Sequence, residues 1–395
     1  MKIAEKVRNL PPSGIRKFFD IASGIPDVIS LGVGEPDFVT PWRVREASIY
    51  ALERGYTTYT SNWGLPELRD RISKYVEAGA GIDYNPKGEV LVTTGVSEAI
   101  DLAVRAITDP GDEILVVEPS YVSYKPCVIM ADGRPVPVNA RVENDFKVTR
   151  EDLEAKITDH TTAIIMNYPN NPTGAIMTKR DLEEIADLAI EYDLMIISDE
   201  VYEKMTYEGK HTSIASLDGL RDNTILLNGF SKSFAMTGWR LGFACGNPEV
   251  VESMMKVHQY TMLCAPITAQ MAAIEALKSG QEEMLDMVAE YDRRRRVIVK
   301  GFNDLGLDCF EPKGAFYAFP SIKKTGLTSE QFSERLLYEK HVIAVPGDVF
   351  GETGVGHLRC SYATNMDQIK EALARIGELI QEIEKEQAPK LKTRI

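Results

Sequence analysis

Residues 163–202 read AIIMNYPNNPTGAIMTKRDLEEIADLAIEYDLMIISDEVY, and the texture of this stretch decides the fold. It opens on Ala163–Tyr168, a short apolar run that reads as a strand buried on both faces. Pro169–Gly174 (PNNPTG) then interrupts it as a rigid loop. Thr178–Tyr192 places apolar residues every three or four positions, the period of an amphipathic helix. Met195–Ser198 is a second buried strand. Strand, loop, helix and strand in that order predict two parallel strands joined by a helix.

The same texture extends outward. Glu89–Thr94, Glu113–Glu118, Ile225–Asn228 and Leu241–Cys245 read as further buried strands, and Asp109-Pro110-Gly111-Asp112 separates a helix from the next strand. The chain has 395 residues, more than one ordinary domain needs. After Pro266 the pattern turns to long helices, including Gln281–Leu305. Short strands and loops follow over Gly314–Ala363, and then a helix near Met366–Glu386. The expected class is α/β: a large three-layer α/β/α domain over 45–285, with a mainly parallel sheet. A smaller, discontinuous α+β domain is expected from 1–44 and 286–395.

Composition limits the possible partners. The net charge is −14 and the pI is about 5.0, which disfavours general attraction to nucleic acid or to anionic membranes. A small anionic ligand would therefore need arginines gathered at one place. Cys127, Cys245, Cys264, Cys309 and Cys360 are scattered without a CxxC pair, as expected in a reducing interior. The charged N-terminal stretch lacks a secretory apolar run, and no run approaches the roughly 20 residues that span a bilayer. The cytoplasm is the expected location. No metal site is expected, because the histidines are scattered and no HExxH occurs; GxxxxGK[ST] is also absent. Arg293–Arg296 is expected to form a solvated or interface face.

Three strand ends carry residues that could do chemistry. Lys232, in Gly229-Phe230-Ser231-Lys232-Ser233, follows a buried strand, where open α/β folds place ligands. Desolvation or a nearby cation would lower its pKa enough for Schiff-base chemistry, and Arg240 could supply that charge and a phosphate fork. Asp199 follows another strand. It is either the cap of the next helix or a carboxylate that keeps a pyridine nitrogen protonated, making the ring an electron sink. Tyr202 would then reach a ring oxygen. Gly95-Val96-Ser97 precedes a helix expected near Glu98, whose backbone amides could bind a phosphate. Two other readings of that turn stand: Ser97 as a simple N-cap, and a hydrolase nucleophile elbow that would need His357.

Taken together, these positions resemble the fold-type-I, class I/II aminotransferases, which depend on pyridoxal 5′-phosphate, and the texture is closest to archaeal and thermophilic aspartate and aromatic aminotransferases. The motifs are SLGVGEPDF (30–38), TYTSNWG (58–64), NYPNNPTG (167–174), SDEVY (198–202), FSKSFAMTGWRLG (230–242), PKGAF (312–316) and LRCSYA (358–363). The resemblance implies that Lys232 is the Schiff-base lysine and the base that moves the substrate proton. It further implies that Asp199 partners the ring nitrogen, Asn171 and Tyr202 donate to the ring oxygen, and Tyr121 stacks on the ring. Gly95, Val96, Ser97, Ser231 and Arg240 would form the phosphate cup. Tyr59 would reach that cup from a second subunit, implying a homodimer with shared sites. Arg359 would grip the substrate α-carboxylate, with the Gly34 backbone beside it.

One stretch departs from the pattern. Relatives specialised for dicarboxylates bring in an arginine where this chain has VHQYTMLCAP (257–266). Arg105 and Arg16 are candidate replacements, each equally readable as an exposed salt-bridging arginine, and Tyr260 or Phe18 could line space for an aromatic side chain. The resemblance implies transfer of an amino group from aspartate or an aromatic amino acid to 2-oxoglutarate in two half-reactions. A pyridoxal-phosphate-dependent carbon–sulfur β-lyase is the alternative.

Overall fold

The structure, a computed structural model, describes residues 2–12, 14 and 27–387. Seven strands form its main sheet: β1 (Val90–Thr93), β2 (Glu113–Glu118), β3 (Arg134–Asn139), β4 (Thr161–Asn167), β5 (Met195–Asp199), β6 (Thr224–Gly229) and β7 (Gly242–Cys245). They lie in the order β1-β7-β6-β5-β4-β2-β3. Pairings are parallel except at β7, which runs antiparallel to both β1 and β6. β1, β2, β4, β5 and β6 therefore end at the same edge of the sheet. Ile196, Ile197, Ile225 and Leu227 have no exposed surface, and each such side chain stabilises the fold by roughly 1.5–3 kcal/mol.

The expected strands all form, within a residue or two. β3 is additional, and its sequence RPVPVN explains why the apolar pattern does not reveal it. Pro135 and Pro137 cannot donate to a ladder, and the strand tolerates them because it sits at the sheet edge. The helix inside the quoted stretch spans Lys179–Glu191. Thr178 accepts from the Asp181 amide, and the Asp181 carboxylate accepts from the Thr178 amide, which closes a capping box.

Two expectations need correction. The helix after β1 begins at Val96 with Gly95 as its N-cap, so Ser97 lies inside the first turn and caps nothing. The arginine run is split by the helical period. Arg293 and Arg296 face solvent, whereas Arg294 and Arg295 are buried and paired to Asp37 (2.8 Å) and Glu208 (2.9 Å). A solvated face would not bury two guanidinium groups; in this helix each has a carboxylate that makes burial tolerable.

The remaining strands are short. Ile29–Ser30 pairs in parallel with Val342–Ile343. Val345–Pro346, Leu358–Ser361 and Tyr317–Ala318 form a small antiparallel sheet. The Leu31 carbonyl accepts from the Ser361 amide, so residues near both ends of the chain meet beside Arg359. Among the described residues no helix is long and apolar enough to cross a membrane.

Candidate active site

The ends of β1, β4, β5 and β6 open onto a cleft of about 1480 Å³. Lys232 enters it from a single helical turn, Phe230–Ser233, that directly follows β6. Its ammonium donates to the Gly34 carbonyl at 2.5 Å. Burial pulls the amine down to about 8, helped by the charges of Arg359 and Arg240 and opposed by Glu35 and Asp199. An amine of this kind is neutral, hence nucleophilic, far more often than an ordinary lysine.

Asp199 is the last residue of β5 and lies beside Asn167 of β4 in register. The Asn167 amide donates to the Asp199 carbonyl (2.8 Å), while the carboxylate accepts from Tyr124 Oη (2.6 Å) and the Val201 amide (3.2 Å). Burial raises this carboxyl to about 6, against the pull of the Tyr124 and Val201 donors and of the Lys232 charge. It stays ionised at neutral pH. Turns, not a helix, occupy the residues directly after it, so helix capping is not its role.

Arg359, on the Leu358–Ser361 strand, is 2% exposed. Its Nη2 donates to the Gly32 carbonyl (2.6 Å) and its Nη1 to Asn171 Oδ1 (3.0 Å), while Nε has no partner. The guanidinium stacks between the rings of Tyr317 and Phe350. Among the described residues no carboxylate pairs with it. A buried guanidinium without a counter-charge is costly unless a ligand supplies one. Gly34 lines the same cleft as Arg359; the carbonyl that Arg359 holds is that of Gly32, and the Gly34 carbonyl accepts from Lys232.

The phosphate-cup residues also converge. Gly95 has φ +82°, and a Cβ there would stand 2.8 Å from Arg240 Nη2, so only glycine lets the helix N-terminus and the guanidinium approach this closely. Val96, Ser97, Ser231 and Arg240 line the cleft. Arg240 donates to the Thr237 carbonyl (2.9 Å) and has no carboxylate partner among the described residues. Helix-terminal amides beside an uncompensated arginine suit a phosphate dianion. Tyr121 lines the cleft, its ring edge-on to Tyr124 (5.9 Å). Tyr202 shares a hydroxyl–hydroxyl hydrogen bond with Tyr317 (2.8 Å). Asn171 is buried, with its amide oxygen occupied by Arg359, which leaves its NH₂ group as a donor. These residues fit pyridoxal phosphate: an amine, a carboxylate, ring-oxygen donors and an anion cup on one rim.

Other expected residues are placed differently. Tyr59 and Tyr260 are 81% and 86% exposed and do not line this cleft. Arg105 lines the cleft, and its Nε pairs with Asp101 one turn back, at 2.8 Å. Arg16 and Phe18 lie outside the described residues. His357 packs against Phe146 and Phe319, away from the cleft, which removes the hydrolase reading. The sequence does not point to Tyr124 and Tyr317. Each lies one to three residues past a residue that the motifs single out, and no periodicity distinguishes it from core.

Comparison with known proteins agrees with this geometry. Residues 26–376 match the family described as aminotransferase class I and II. The chain is 46% identical to the aromatic-amino-acid aminotransferase 2 of Thermococcus litoralis, over 97% of this chain and 99% of that protein. It is equally 46% identical to an aspartate aminotransferase of Pyrococcus abyssi, with the same coverage. The crystal structure of an aromatic aminotransferase from Pyrococcus horikoshii superposes with a TM-score of 0.89 at 45% identity, covering 94% of this chain and 99% of that one. The chain belongs to the class I and II aminotransferases, and it is a transaminase dependent on pyridoxal phosphate.

Proposed function

We propose that this enzyme moves the amino group of aspartate or an aromatic amino acid to 2-oxoglutarate in two alternating half-reactions, as the names of its relatives suggest. When bound, pyridoxal phosphate supplies the sink for the electron pair left at the substrate Cα. The chain does the rest. Lys232 anchors the cofactor, and its freed amine carries the proton away from Cα, a step worth roughly 10²–10⁴-fold. Asp199 holds the ring nitrogen protonated, Asn171 and Tyr202 donate to the ring oxygen, and Tyr121 covers the ring face. Gly95, Val96, Ser97, Ser231 and Arg240 hold the phosphate. Arg359 binds the α-carboxylate and so fixes which bond at Cα faces the lysine.

The observation that carries this reading is the buried Arg359 guanidinium without a carboxylate of its own. In this scheme the cleft lies between a large domain (45–285) and a small one (1–44 and 286–395). The active unit is a homodimer, in which Tyr59 would reach the partner's phosphate cup; its exposure leaves it free to do so. All five cysteines are free, in keeping with a cytoplasmic enzyme.

The test is a panel of donors (aspartate, glutamate, tyrosine, phenylalanine, alanine, 2-aminoadipate) against 2-oxoglutarate, compared by kcat/KM. Aspartate or the aromatic donors should lead, with glutamate formed in step with donor loss. Release of ammonia from an S-substituted cysteine faster than any glutamate formation would establish the β-lyase instead.

A further inference from the structure

We propose that Tyr124 is a positioning residue for Asp199, donating a hydrogen bond that keeps this carboxylate ionised and aimed as the ring-nitrogen partner. The inference rests on the role proposed above for Asp199. Three observations support it. The Tyr124 hydroxyl is buried and donates to Asp199 Oδ2 at 2.6 Å. Among the described residues, the other oxygen, Oδ1, accepts only the longer 3.2 Å contact from the Val201 amide. Tyr124 also stands edge-on to Tyr121, and its amide donates to the Tyr121 carbonyl (3.2 Å). One turn of chain thus carries both the residue proposed to cover the ring face and the residue that steadies the group at its nitrogen.

The physical need for such a donor follows from the charges around Asp199. Burial favours its neutral form, and the adjacent Glu200 carboxylate pushes the same way. Glu200 is itself held by Ser198, Ser213 and His211, so its charge does not swing away. Tyr202 also faces Asp199, from the chain that follows β5, and is neutral, its phenol raised well above the usual range by burial. Opposing these are the Lys232 charge and the two hydrogen bonds. Lys232 becomes neutral through part of the proposed cycle, and at that stage the hydrogen bonds remain. Tyr124 is well suited to the task because burial and the Asp199 charge raise its own pKa far above neutrality, so it donates without surrendering its proton.

The test compares wild type, Y124F, Y124L and D199N, each loaded with pyridoxal phosphate. Two quantities are measured from pH 5 to 8.5: kcat/KM, and the dissociation constant of the cofactor by equilibrium dialysis. In Y124F the acid limb of both curves should move up by about one pH unit, with the plateau above pH 8 within about tenfold of wild type. In that variant the ring contact to Tyr121 survives. Y124L should show the same limb shift and a lower plateau. If Y124F superposes on wild type while D199N loses activity and cofactor affinity, the role of Tyr124 is overturned and that of Asp199 stands. If D199N matches wild type, the reading of Asp199 fails, and Tyr124 falls with it.

Discussion

The two ends of the cleft are built differently. The cofactor end stands on the termini of β1, β4, β5 and β6, which backbone hydrogen bonds lock in register. The end that would meet the substrate side chain has no such frame. Of the residues considered for it, Arg105 is paired elsewhere, Tyr260 points to solvent, and Arg16 and Phe18 lie outside the described residues. In the proposed scheme, chemistry shared by all substrates sits where a sheet makes position rigid, and discrimination among substrates is left to segments that can vary without disturbing the sheet.

Substitutions at the cofactor end should therefore affect every donor alike, and the largest effect belongs to Lys232. K232A should lower kcat by at least about 10⁴-fold with all donors, through loss of both anchor and base; turnover near wild type would strip Lys232 of both roles. Next is Arg359, which joins the two ends. R359A should lower kcat/KM by about 10²–10³-fold, mostly through KM, because two charge-assisted hydrogen bonds to the α-carboxylate are lost. An equal loss for amine substrates lacking a carboxylate would move Arg359 out of the substrate site.

A pH effect comes next in size. The Lys232 amine, lowered to about 8 by burial, is mostly protonated below that value and neutral above it. The rate at which cofactor-free enzyme captures pyridoxal phosphate should climb about tenfold per pH unit up to about 8 and then level off. A rise continuing to pH 10 would mean that the amine is not desolvated. Y317F removes the partner of the Tyr202 hydroxyl and should cost about three- to tenfold in kcat, again for all donors. The smallest effect is expected at Arg105. R105A should change kcat/KM by less than about twofold and stability by under about 0.5 kcal/mol, since a half-exposed i,i+4 pair contributes little. A selective loss for aspartate would sharpen the contrast by showing that Arg105 swings inward when a dicarboxylate binds.

Much of the proposed cofactor end was legible in the chain. Lys232 and Asp199 each follow an apolar run, at the sheet end where open α/β folds place ligands; alone, each also reads as an ordinary loop lysine or cap, and only the motifs around them single them out. Other features were hidden for particular reasons. RPVPVN carries the residues least typical of strands and survives because, among the described residues, nothing pairs beyond it. Arg294 and Arg295 read as surface because a run of four charges usually is surface; beside the near partners Glu290 and Asp292, each has a second carboxylate far away in sequence, Asp37 and Glu208. Gly32 and Gly34 share a loop whose pattern does not say which carbonyl turns to Arg359.

By itself, the order of amino acids determined the layered α/β build and the placing of polar and basic residues at the strand ends, among them those proposed to hold an anionic cofactor. Those properties follow from local periodicity and residue type, which act within a few residues of each position. Only the tertiary structure decided that Tyr124 donates to Asp199, that Tyr317 meets Tyr202, and that Arg359 lies buried with no carboxylate beside it. Each of these joins residues dozens to hundreds of positions apart or depends on what solvent can reach. Such contacts exist only once the sheet has packed.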